Sequence, residues 1–191
     1  HSVVSDRIEA GSFAIASSIT MGNIEINNIN PKNLIEFLNV LKLTGSKVDV
    51  SENSINVCCS DRPKPLDVVT DPYPGFPTDL QAQYMALMSI ANGKTLIKET
   101  IFENRFMHVP ELMRMGAKIS VNHQEAEIHG VRKLKGAKVM ASDLRASMCL
   151  ILGALAASGT SVIDGLSHLD RGYENLENKL ANLGAIIRRS N

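Results

Sequence analysis

The stretch Thr78 to Gly116, TDLQAQYMALMSIANGKTLIKETIFENRFMHVPELMRMG, decides the fold. It opens with Thr78-Asp79, a hydroxyl and a carboxylate of the kind that satisfy free backbone N–H groups at a helix start. Thr78 and Gln81 have the spacing of a capping box. Tyr84-Met85-Ala86-Leu87-Met88 is apolar almost all round, so the helix it predicts is buried rather than one-sided. Gly93 is expected to end that helix in the left-handed conformation. Leu96-Ile97-Lys98 alternates as a strand does. Val109, Leu112 and Met113 then form one stripe of a second helix, which Gly116 stops.

The same plan appears on either side. Ser5-Asp6 and Ser142-Asp143 open two more apolar helices, Phe13-Ala14-Ile15-Ala16 and Met148-Cys149-Leu150-Ile151-Leu152. The steps from Asp to the first Gly (Asp6–Gly22, Asp79–Gly93, Asp143–Gly159) are 16, 14 and 16 residues. The next Gly (Gly45, Gly116, Gly184) follows after 23, 23 and 25. Ile24-Glu25-Ile26 and Val162-Ile163-Asp164 supply the matching strands. The stripes Leu34, Phe37, Leu38, Leu41 and Leu176, Leu180, Leu183 supply the matching second helices. Two further strands with a polar turn close the middle unit, Lys118 to Val121 and Ala126 to His129.

Self-similarity at a fixed period marks a repeated unit. The expected class is α/β (α+β): a threefold repeat of βαβαββ units, about residues 1–70, 71–136 and 137–191. Helices that are apolar all round belong inside, with the sheets outside. After the linking strand Ala137 to Met140, the last unit is incomplete. It stops at Ile186-Ile187-Arg188-Arg189, and its absent strands are expected from an earlier part of a longer chain, because sheets avoid bare edges.

Composition sets the outer limits. The chain has 191 residues with 20 Lys plus Arg and 20 Asp plus Glu, a net charge of zero. That balance argues against a polybasic surface for nucleic acid or membranes as partner. With 44% apolar and 21% charged residues the composition is globular. The longest apolar run, Met148 to Ala157, is far short of the roughly 20 residues of a membrane span. Aromatic residues are 4%, without Trp, so the core falls to Ile, Leu, Val, Met and Ala. Met85, Met88, Met107, Met113, Met115, Met140 and Met148 are expected to fill gaps in it.

Cys58, Cys59 and Cys149 do not form a disulfide framework, which suits a reducing, cytoplasmic setting. No secretory leader is read at the start. A chain that opens at His1 suggests a piece of a longer protein. The histidines are scattered, with His108 and Glu111 one helical turn apart, so no metal site is expected. Neither a P-loop nor G-x-G-x-x-G occurs, and no cofactor is expected.

Four stretches carry a resemblance: FPTDLQAQ (Phe76 to Gln83), ETIFENRFMHVPELMRMGA (Glu99 to Ala117), DLRAS (Asp143 to Ser147) and LDRGYENLENKLANLGA (Leu169 to Ala185). Through them essentially the whole chain resembles the second half of the enolpyruvyl transferases that act on a nucleotide sugar. The resemblance implies one domain of two, each an inside-out α/β barrel with buried helices. It further implies transfer of enolpyruvate from phosphoenolpyruvate to the 3′-hydroxyl of UDP-N-acetylglucosamine, in peptidoglycan synthesis and thus cell-wall biogenesis and division. The family's reactive cysteine, a phosphoenolpyruvate-binding lysine and much of the uridine pocket lie in the other, N-terminal domain. Cys58, Cys59 and Cys149 do not match that loop. Residues 1–191 are therefore expected to be inactive alone and to need that N-terminal domain as partner.

The resemblance puts Asp79 at the acceptor hydroxyl, where a carboxylate acts as base or orienter. Read without it, Asp79 is a helix-start residue like Asp6 and Asp143. Arg105, Arg145 and Arg171 form the anion set, since guanidinium forks match carboxylate and phosphate. Their repeat positions place Arg105 and Arg171 on one rim. The resemblance also implies that Ile101, with Phe102 beside it, lines the sugar pocket and that Asp143 orients neighbouring side chains; read without it, Ile101 is a strand-end core residue. Asp6-Arg7 is expected to be a structural pair near the hinge. The alternatives are a 5-enolpyruvylshikimate-3-phosphate synthase-like domain and a non-catalytic anion- or partner-binding module.

Overall fold

A computed structural model describes residues 1–190. The first third contains α1 (Arg7–Ile19), β1 (Asn23–Asn27), α2 (Ile35–Leu43), β2 (Lys47–Val50) and β3 (Ser54–Cys58). The middle contains β4 (Val68–Val69), a 3-10 turn at Thr78–Leu80, α3 (Gln81–Met88), β5 (Lys94–Lys98), α4 (Val109–Arg114), β6 (Lys118–Asn122) and β7 (Glu125–His129). The last part contains β8 (Leu134–Lys135), β9 (Lys138–Met140), α5 (Leu144–Ala156), β10 (Ala157–Ser158) and β11 (Val162–Asp164). A 3-10 segment at Leu166–Arg171 and α6 (Leu176–Asn182) follow. Among the described residues no helix is long and apolar enough to cross a membrane.

Three helices lie at the centre. Every residue of α3 is buried, as are Ala10 to Ile19 of α1 and Ala146 to Gly153 of α5. The three touch one another pairwise. Gly11 permits one of these approaches, because a Cβ there would fall 2.5 Å from Leu80 Cδ1. Some buried hydroxyls find partners across elements: the Ser17 hydroxyl donates to the Val57 carbonyl at 2.6 Å. Ser12 Oγ and the Tyr173 hydroxyl are 2.8 Å apart.

The sheets cover these helices. β1, β3 and β2 form one antiparallel sheet in that order, with Ile24 opposite Val57 and Val48 opposite Val57 on the other side. β4, β5, β7 and β6 form the second, with β4 parallel to β5 and the rest antiparallel. Alternation sends one face inward: Ile55 and Val57 of β3, Ala126 and Ile128 of β7. In the last third, β8 pairs with β10 and β9 with β11, both parallel. Residues 185–190 form no strand, and Ile186 is fully exposed.

The outer helices α2, α4 and α6 are short, and all stop alike. Gly45, Gly116 and Gly184 have φ of +105°, +93° and +97° just past the last turn. The next N–H returns to a carbonyl five residues back: Ser46 to Leu41, Ala117 to Leu112, Ala185 to Leu180. This is the Schellman closure, and glycine enters its left-handed position without a Cβ clash.

Several expectations are corrected. Gly22, Gly93 and Gly159 do not end the central helices. After α1 the left-handed residue is Met21, at φ 53°, while Gly93 lies several residues past α3 and Gly159 follows β10. The Thr78–Gln81 capping box is not formed, because the Thr78 hydroxyl donates to Glu99 instead. The Gln81 amide has no partner among the described residues. Met113 and Leu183 face solvent, while Met115 takes the core place. Met107 and Met140 are also exposed rather than gap-filling.

Candidate active site

The start of α3, the loop after β5 and the start of α5 meet around one carboxylate. Asp79 lies inside the 3-10 turn that leads into α3. Its Oδ1 accepts from Arg105 Nη2 at 2.5 Å and its Oδ2 from Arg145 Nη2 at 2.8 Å. Burial would raise the Asp79 carboxyl, but the Arg145 and Arg105 guanidiniums outweigh it and hold it below the usual aspartate value. In return, despite its burial, Arg145 is held more firmly protonated by Asp79 and by the nearby Tyr173 hydroxyl.

Each arginine has its own support. The Arg105 guanidinium lies 4.9 Å from the Phe102 ring centroid, a cation–π distance. Phe102 is otherwise half-exposed, so the loop presents both an aromatic face and a cation to solvent. Arg145 occupies the first turn of α5, and Asp143 caps that turn by accepting from the N–H groups of Arg145 and Ala146 at 2.8 and 2.9 Å. Burial would raise the Asp143 carboxyl, and those two N–H groups with the Ser142 hydroxyl lower it further than burial raises it. Asp143 thus holds the backbone of the turn from which Arg145 projects.

Arg171 stands apart. It ends the 3-10 segment before α6, is exposed, and makes no side-chain hydrogen bond or ion pair among the described residues. That segment packs on α5. Tyr173, two residues on, is buried and within 3.4 Å of Gln83 Nε2 on α3, besides its contact with Ser12 on α1. Asp79, Arg105 and Arg145 are therefore brought into direct contact, with Phe102 against Arg105, while Arg171 is outside that set of bonds.

A hollow of about 160 Å³ opens beside Asp79, lined by Arg7, Asp71, Tyr73, Thr78 and Ile101 among others. Ile101 thus shares a wall with the acid. Arg7 was read only as half of a structural pair, but its guanidinium lies 5.0 Å from the Tyr73 ring centroid in this wall. Asp6 caps α1 by accepting from Ile8 and Glu9 N–H groups, so Asp6 and Arg7 do separate jobs. The signal that marks Tyr73 and Asp71 is the turn-rich run Asp71-Pro72-Tyr73-Pro74-Gly75 just ahead of Asp79. A larger hollow, about 440 Å³, lies between α2 and the β2–β3 turn, and it holds neither Asp79 nor its arginines. The smaller one has Asp79 and Ile101 in its lining.

The other candidates are packing residues. His108 is buried, its Nε2 3.2 Å from Met85 Sδ, and burial pushes its pKa down to about 4. Cys149 is wholly buried and its thiol is pushed up by that burial, the reverse of an activated nucleophile.

The chain matches known proteins along its length. Residues 1–180 fit the family model described as EPSP synthase (3-phosphoshikimate 1-carboxyvinyltransferase). It is 54% identical over 191 residues to a UDP-N-acetylglucosamine 1-carboxyvinyltransferase of Pelagibacter ubique, covering 100% of this chain and 46% of that one. The protein of the same name from Desulfosudis oleivorans is also 54% identical, over 98% of this chain and 45% of its own length. Among solved structures, the enolpyruvyl transferase NikO of Streptomyces tendae superposes with a TM-score of 0.88 at 28% identity, over 97% of this chain and 44% of that one. An EPSP synthase of Acinetobacter baumannii shares the fold, with a TM-score of 0.79 at 18% identity, over 99% of this chain and 48% of its own. The chain spans about half the length of the relatives it matches. Sequence and α/β fold agree: the chain belongs to the EPSP synthase family, the 1-carboxyvinyl (enolpyruvyl) transferases.

Proposed function

We propose that this chain is the C-terminal domain of a two-domain transferase that moves enolpyruvate from phosphoenolpyruvate to the 3′-hydroxyl of UDP-N-acetylglucosamine, a cytoplasmic step of peptidoglycan synthesis. One observation carries the reading: a single partly buried carboxylate, Asp79, is shared by two guanidiniums from different elements. The naming of relatives at 54% identity supplies the acceptor. The three units, about 1–70, 71–136 and 137–191, form an inside-out barrel whose central helices aim their starts at the cleft. The N-terminal domain closes over it as partner.

The reaction needs an acceptor oxygen to form a bond to the enol carbon of phosphoenolpyruvate while a proton reaches its methylene. A proton then leaves that carbon and phosphate departs, restoring the double bond. Asp79 holds the acceptor hydroxyl and receives its proton, or orients it for transfer. Arg105 and Arg145 have the charge and planar shape to share the anionic groups that gather there. Arg171 joins them in binding phosphoenolpyruvate. Ile101 and Phe102 form the wall against the sugar, and Asp143 orients Arg145. Holding two substrates together in this way can contribute on the order of 7–11 kcal/mol to a bimolecular step.

The test is phosphate release by the full-length protein, which should require both phosphoenolpyruvate and UDP-N-acetylglucosamine. Residues 1–191 alone should release none. Release with shikimate 3-phosphate as acceptor would move the chain to the other branch of the family. Tight binding of an unrelated anion without release would make it a binding module.

A further inference from the structure

We propose that Glu99, which ends β5's run toward the site, is the positioning residue that fixes the acceptor wall against Asp79. The inference rests on the reading of Ile101, Phe102 and Asp79 given above. Glu99 is 1% exposed. Its Oε1 accepts from the Thr70 hydroxyl at 2.9 Å, from the Ile101 N–H at 2.9 Å and from the Phe102 N–H at 3.1 Å. Its Oε2 accepts from the Thr78 hydroxyl at 2.9 Å. The Thr70 oxygen in turn accepts from the Thr100 N–H at 2.9 Å, which commits the Thr70 proton to Glu99.

No Lys, Arg or His forms an ion pair with this carboxylate among the described residues. A buried carboxylate without a cation is costly, so it persists only where its hydrogen bonds satisfy it. The bonds here reach three separate pieces of the chain. One is the residue after β4, one is the turn that carries Asp79, and one is the loop that carries Ile101, Phe102 and Arg105. Two consecutive N–H groups converging on one oxygen fix the direction in which the Ile101-Phe102 backbone leaves the sheet. The remaining oxygen fixes the residue directly before Asp79. One side chain therefore sets the distance between the apolar wall and the acid, and it touches no substrate itself.

The test compares three forms of the full-length protein: wild type, Glu99→Gln and Glu99→Asp. Glu99→Gln keeps an oxygen for both loop N–H groups, and its NH₂ donates to the Thr78 hydroxyl, which then accepts. Glu99→Asp keeps the charge but is one methylene too short to reach the loop and the turn together. The expected result is a KM for UDP-N-acetylglucosamine raised about tenfold in Glu99→Asp and within about threefold of wild type in Glu99→Gln. The KM for phosphoenolpyruvate should rise by less than the acceptor's in Glu99→Asp, since Arg145 and Arg171 are not on the loop that Glu99 holds. Amide hydrogen exchange at Ile101 and Phe102 should quicken in Glu99→Asp while Ile97 in β5 stays protected.

Equal shifts in both KM values, or a Glu99→Asp protein that behaves as wild type, would overturn the positioning role. So would a Glu99→Gln protein as impaired as Glu99→Asp. A wild type that transfers no enolpyruvate would overturn the functional reading and this inference with it, whereas an active wild type with unresponsive variants sinks the inference alone.

Discussion

Asp6 and Asp143 begin α1 and α5, and Asp79 precedes α3, yet the three carboxylates are used differently. Asp6 and Asp143 turn back on their own helices and accept two backbone N–H groups each. Asp79 accepts none. It sits within a 3-10 turn in which the Leu80 N–H goes to the Pro77 carbonyl and the Gln81 N–H to the Thr78 carbonyl. Its oxygens turn to Arg105 and Arg145 instead. A carboxylate spent on a cap is structural, and one left over by the backbone is available for chemistry. The shift by a single 3-10 turn separates the two uses.

The largest expected effect tests that separation directly. In the full-length protein Asp79→Asn should lower kcat about a thousandfold, the scale of a lost general base, with a small change in melting temperature. A large fall in melting temperature with normal turnover would make Asp79 a cap like the others.

Next comes His108, which feels both regions through Arg105 and Asp143. Burial keeps it neutral in the fold, down to a pKa of about 4, while the unfolded chain takes up the proton near 6.5. The unfolded state thus binds more protons between these values, so stability falls as pH drops from about 6.5 to about 4 and then levels. The loss is about 3 kcal/mol at most, and His108→Gln should flatten that limb in denaturant titrations at stepped pH.

Asp6→Ala and Asp143→Ala should each cost about 1 kcal/mol in urea unfolding. They should differ in kinetics: Asp6→Ala leaves kcat unchanged, and Asp143→Ala raises KM for phosphoenolpyruvate a fewfold by loosening Arg145. Identical kinetics would show that the cap on α5 does not reach the site. The smallest effect is Arg189→Ala. Arg189 grips Asp170 with two bonds and also reaches Glu177, yet at the surface. Its loss should leave the melting temperature within about a degree, since exposed pairs add little.

Much of the fold could be read from period and punctuation. The apolar runs of the central helices have no polar stripe, and burial is the only outcome for such a helix. Gly45, Gly116 and Gly184 stop the outer helices as expected, because a left-handed position after the last turn is where glycine has no rival. Gly22, Gly93 and Gly159 misled for the same reason: glycine marks a special backbone without saying which one. At the site, the wording of the motifs pointed to Asp79, Arg105 and Arg145. Their meeting depends on α3 and α5 packing side by side, a long-range fact that no local spacing carries. Tyr73 was missed, and Arg7 was read only as half of a pair with Asp6, because the Arg7–Tyr73 contact arises only when the turn ahead of Asp79 folds against α1. Glu99 was passed over because a lone acidic residue after a strand looks like any solvated one, and its burial appears only in three dimensions.

The paired guanidiniums on Asp79 have a consequence for the order of events. While both are engaged, that oxygen pair is a poor proton acceptor, and the cluster as a whole carries one positive charge. In the proposed reaction an arriving phosphate or carboxylate would be attracted by that surplus and would compete for the same N–H groups. Each bond it wins is one withdrawn from Asp79, whose basicity rises accordingly. In the proposed reaction, occupancy by the anion would thereby switch on Asp79 as the neighbouring base, and an empty cleft would stay quiet.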